Sequence, residues 1–85
     1  MKVEIQIPEY HRNGGLSDAT VDGHRLSVTI DNGEVLVFGN PAGLIWLATN
    51  LMALSQEPVP SGYHQHFSQD YGLEPESVDL VIGKL

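Results

Sequence analysis

The chain has no cysteine. No disulfide can staple it, and no thiolate can ligate a metal or attack a substrate. Basic residues are scarce: four Lys and Arg stand against eleven Asp and Glu, a formal charge of −7. A phosphate backbone repels such a surface, which argues against direct nucleic-acid binding, and an anionic membrane is disfavoured for the same reason. Long apolar runs are also missing. The longest, Ala42 to Leu54, is broken by Gly43, Thr49 and Asn50 and is too short to span a bilayer. The opening Met-Lys-Val-Glu-Ile-Gln-Ile alternates from its second residue, so it has no apolar signal-peptide core and a cytoplasmic location is expected.

What remains is enough for one domain. Eighty-five residues with 41% hydrophobic content can build one core but hardly two, so residues 1–85 are read as a single α+β domain.

Period-two alternation marks the strands. Val3, Ile5 and Ile7 alternate with polar residues until Pro8, which cannot donate to a ladder. Residues 9–18 read as a loop, and Ala19-Thr20-Val21 as a short extra strand turning at Asp22-Gly23. Leu26, Val28 and Ile30 then alternate with Arg25, Ser27 and Thr29, Asn32-Gly33 makes a hairpin, and Glu34 to Phe38 returns. A two-residue turn pairs Ile30 with Val35 and Val28 with Val37, whereas a bulged turn reverses the faces.

A helix is predicted over 41–55, with Asn40 as N-cap and Pro41 at the first helical position. Leu44, Leu47, Ala48 and Leu51 are its expected inward face, which leaves Trp46 outside among uncharged neighbours. There Trp46 is either covered by Tyr10 and Leu16 of the 9–18 loop or anchors a partner. Tyr63, Gln65 and Phe67 predict a further strand, and Val78, Leu80 and Ile82 the last. The expected architecture is an antiparallel sheet of four to six strands in the order β-β-β-α-β-β, with the helix on one face.

His64 and His66 are the most suggestive chemical pair, because i and i+2 on a strand point the same way. If Phe67 pairs with Val78, His66 lies opposite Asp79, with Asp70 just beyond the strand. That would supply two imidazoles and a carboxylate. A solvated strand face explains the same residues more simply, so neither a metal nor another cofactor is expected. No serine sits in a nucleophile elbow, Gly14-Gly15 lacks phosphate-loop spacing, and the acidic residues near the C-terminus form no calcium loop. Catalysis is not expected. On the two-residue-turn register the sheet's open face carries Leu36, Phe38, His64, His66, Asp79 and Val81, a mixture suited to binding a partner.

Three stretches carry a family resemblance: Gly39-Asn40-Pro41-Ala42-Gly43-Leu44, Pro60-Ser61-Gly62-Tyr63-His64-Gln65-His66-Phe67, and Gly72 through Ile82. They resemble the immunity proteins of bacterial polymorphic toxin systems, in particular the family numbered thirty-two. The likeness covers roughly residues 26–82, while 8–23 look like a variable region. It departs from the family pattern at Ser68, where an aspartate is expected, the acidic group being displaced to Asp70. The resemblance implies a protein that binds and neutralises a cognate protein toxin, a basic nuclease among the candidates. The expected partner-binding residues are His64, His66, Asp70, Glu74, Glu76, Asp79, Leu36, Phe38 and Trp46. Two competing readings are a small metal-binding or hydrolytic domain using His64 and His66, and a structural homodimer or larger homo-oligomer using Trp46 or the outer strand face.

Overall fold

The computed structural model describes residues 1–17, 19 and 21–85. Among these residues four strands and one helix follow the order β-β-α-β-β: β1 Leu26–Asp31, β2 Glu34–Gly39, α1 Pro41–Leu54, β3 His64–Phe67 and β4 Leu80–Gly83. The strands do not form the single sheet of four to six strands expected from the sequence. They make two separate antiparallel pairs, β1 with β2 and β3 with β4.

Local chemistry explains the separation. The segment between the sheets does run beside β1, where Glu74 N–H donates to the Leu26 carbonyl and Val78 N–H to the Val28 carbonyl, both at 2.8 Å. Between these bonds, however, Pro75 has no N–H to give and Glu76 adopts a left-handed φ of 72°. A continuous ladder is therefore broken, and the Val28 N–H is satisfied by the buried Ser77 hydroxyl at 3.1 Å instead. The expected N-terminal strand is absent too, as residues 1–8 join no ladder among the described residues. Of the short strand expected at 19–21, Thr20 lies outside the described residues. Its Asp22-Gly23 turn does form, with Gly23 at φ 74° and His24 N–H bonded to the Val21 carbonyl.

The first hairpin has the two-residue turn, with Asn32 at φ 50° and Gly33 at φ 78°. Ile30 faces Val35 and Val28 faces Val37, so Leu36 and Phe38 point the opposite way. In the second hairpin the register differs by two residues from expectation: Phe67 faces Leu80 and His66 faces Val81. Asp79 consequently precedes β4 rather than standing opposite His66.

Helix α1 starts where the sequence places it. Asn40 does three jobs there. Its side-chain oxygen accepts from Gly43 N–H at 2.7 Å and from Arg25 N–H at 3.0 Å, and its amide donates to the Gly23 carbonyl at 2.9 Å. The helix N-terminus is thus tied to the start of β1. Gly43 permits the contact, because a Cβ there would lie 1.9 Å from the Arg25 carbonyl oxygen.

The helix is rotated relative to the sequence expectation. Its buried residues are Gly43, Trp46, Thr49, Asn50, Ala53 and Leu54, whereas Leu44 and Leu51 are about half exposed. Trp46, only 4% exposed, sits in a cluster with Leu26 and Val28 of β1, Phe67 of β3, and Leu73. One indole therefore bridges the two sheets. A flat, wide ring fills the gap between two splayed hairpins better than a row of leucines, and its N–H finds an acceptor, the Ala19 carbonyl, at 3.0 Å. Tyr10 and Leu16 do not cover Trp46. Leu16 joins a second cluster with Ala53, Leu54 and Val59, against which Tyr10 and Tyr63 pack. The Tyr63 hydroxyl accepts from Leu16 N–H at 3.0 Å and holds the loop there.

Candidate partner-binding surface

The residues expected to bind a partner are distributed over both sheets. On β3, His64 and His66 share the exposed face, with ring centroids 5.0 Å apart and edge to face. The His64 Nδ1 lies 2.9 Å from the Gly62 carbonyl oxygen, which fixes that ring against the preceding turn. Val81, across from His66, is exposed beside them. Gln65 and Phe67 take the inward parity, and Phe67 meets Trp46 edge to face at 5.0 Å.

Two acidic residues flank one end of this hairpin. Asp70 lies in the turn after Phe67 and Ser68, and Asp79 immediately precedes β4; both are exposed. Glu76 is exposed on the connecting segment, at its left-handed backbone position. Glu74 differs from the other three. It forms an ion pair with Arg25 and is only about a third exposed, so it also ties the connecting segment to β1.

Leu36 and Phe38 belong to the other sheet, so the single open face that was to unite them with the histidines does not exist. Phe38 is 66% exposed and Leu36 half-buried. Trp46 is a core residue, unavailable to a partner while the fold is intact. Nor does the set of two histidines and a carboxylate assemble: among the described residues no three His, Asp or Glu side chains are grouped to hold a metal ion.

Sequence reasoning missed two features. A cavity of ≈ 150 Å³ is lined by His24, Trp46, Asn50, Phe67 and Tyr71, with His24 stacked on Trp46 at 4.6 Å. The His24 ring nitrogens lie 3.2 Å from the Val21 carbonyl oxygen and 3.1 Å from that of Gly72, so the ring fastens two loops over the indole. No periodicity announces such a contact. The second feature is an exposed stripe of Leu44, Ile45, Leu51 and Met52, of which Leu44 and Leu51 belong to the face expected inward.

No helix among the described residues is long and apolar enough to cross a membrane. No curated protein and no solved structure matches the chain significantly. A family model does match: immunity protein 32, over residues 34–85. That span takes in β2, the Asn40 cap, the whole helix and the second hairpin, which is more than half of the molecule. The chain belongs to the immunity protein 32 family.

Proposed function

We propose that the protein neutralises a cognate bacterial toxin by binding it directly in the cytoplasm, without catalysis. The observation that carries this reading is the family match over residues 34–85, which contains the second hairpin and its flanking acidic residues. The docking surface is the exposed face of β3 and β4, with His64, His66 and Val81 as its centre and Asp70, Glu76 and Asp79 at its margin. An acidic margin suits a toxin with a cationic surface, such as a nuclease, because complementary charge speeds encounter and fixes orientation. Phe38 and Leu36, on the other sheet, are left outside this surface.

The test is binding of the purified toxin to an Asp70→Lys, Glu76→Lys, Asp79→Lys variant. Glu74 is left intact because its ion pair with Arg25 supports the fold. Affinity should fall at least about tenfold, and its salt dependence should flatten as charge pairs are lost. Unchanged affinity at low salt would refute the proposed surface.

A further inference from the structure

The exposed face of α1 has an arrangement that the proposed function does not use. Leu44, Ile45, Leu51 and Met52 are each between 42% and 53% exposed, with half-buried Ala48 between them. Their spacing is symmetric. Leu44 and Met52 lie four residues either side of Ala48, and Ile45 and Leu51 three either side. A helix has neighbours on one face at just these intervals, so the five residues form one stripe: two large, one small, two large.

Such a stripe complements itself. Two copies crossed antiparallel about a two-fold axis at Ala48 would set Leu44 against Met52 of the second copy and Ile45 against its Leu51. The small residue at the axis lets the helices approach to the usual ~8–10 Å. Charge points to the same occupant. At a net charge of −7, two copies repel over most of their surface, but α1 contains no Asp, Glu, Lys or Arg. A cationic toxin would gain no electrostatic attraction on this face, whereas a second copy would meet no like charge within it, so this is where the net repulsion between copies is weakest. A helix without a single charged residue ordinarily has both faces covered. The groove beyond Leu51, lined by Leu54, Ile82 and Leu85 together with Ser55 and Lys84, continues past the end of the stripe and becomes polar at its rim.

We infer that the outer face of α1 is the interface of an antiparallel two-fold homodimer centred on Ala48. The dimer should be concentration-dependent, with the monomer prevailing when dilute. Salt should tighten the dimer by screening the net repulsion, opposite to its effect on a charge-steered toxin complex.

Sedimentation velocity of the full chain from about 5 to about 500 µM, at about 50 and about 500 mM salt, tests the inference. The wild type should pass from monomer to dimer within that range, at lower concentration in high salt. Ala48→Glu and Ala48→Arg should each weaken self-association at least about tenfold, because each places two like charges at the axis. Mixing the two variants should restore a one-to-one dimer. Phe38→Glu, on the other sheet, should leave the dimer unchanged. Trp46 emission and circular dichroism check that each variant is folded. Wild type monomeric throughout the range would overturn the inference, as would a dimer indifferent to both Ala48 changes or failure of the mixed variants to pair. Loss of toxin binding in folded Ala48→Glu, with a monomeric wild type, would assign the stripe to the toxin and overturn the dimer. Failure of the acidic-margin test would leave this result untouched.

Discussion

The two faces of α1 invert the usual relation between hydrophobicity and burial. The outward face carries Leu44, Ile45, Leu51 and Met52, while the buried one carries Gly43, Thr49 and Asn50 beside Trp46. By apolar count the helix should turn the other way. Shape and polar satisfaction decide instead. Gly43 allows the helix start to touch the backbone of Arg25, Trp46 fills the gap between the hairpins, and the buried polar residues bond within their own helix. Thr49 donates to the Ile45 carbonyl at 2.7 Å and Asn50 to the Trp46 carbonyl at 2.9 Å. Polar side chains satisfied in this way are tolerated in a core, since the main cost of burial is an unmade hydrogen bond.

Substitutions on each face should break this comparison unequally. The largest effect is expected of Trp46→Ala, which empties the centre of the cluster joining both sheets. A loss of ~3–5 kcal/mol in urea unfolding is anticipated, enough to unfold many domains of this size. A loss under about 1 kcal/mol would mean that the indole is not the bridge.

Gly43→Ala comes next. In an ordinary helix interior the change would help by up to ~1 kcal/mol. Here the new methyl collides with the Arg25 carbonyl, so a net loss of about 2 kcal/mol is expected from displacing the helix start. Stabilisation would show that the close approach is wrong.

The smallest effect should come from Leu44→Gln. On the outward face of a dilute monomer it should alter stability by no more than ~0.5 kcal/mol. A loss of several kcal/mol would place Leu44 in the core after all. Together the three variants order the helix by contact rather than by hydropathy.

Much of the local structure was legible. Asn32-Gly33 specified its hairpin because few other residues accept two successive positive φ angles. Asn40-Pro41 specified the helix start because the cap is a local hydrogen bond between residues three apart. The exposed parity of His64 and His66 also followed, since the two-residue shift in register preserves strand faces. The Val3, Ile5 and Ile7 alternation misled, because a period-two pattern states that a segment can be a strand without supplying a partner edge. The candidate surface was only half legible. The histidines and Asp70, Glu76 and Asp79 stand exposed along one hairpin and its connection, but Leu36 and Phe38 lie on another sheet and Trp46 lies inside.

The sequence by itself determined the strands of both hairpins, the span of the helix and the family, because these rest on interactions between near neighbours or on local spacing. The tertiary structure decided which side of the helix is the core and how many sheets there are. Both depend on contacts between residues far apart in the chain. Pro75 and Glu76 interrupt a ladder only because their segment lies beside β1, and Trp46 is a core residue only because two hairpins meet around it. A helix with no charged face carries little orientation of its own. Its rotation was set by where a tryptophan, a glycine and two satisfied polar side chains could fit.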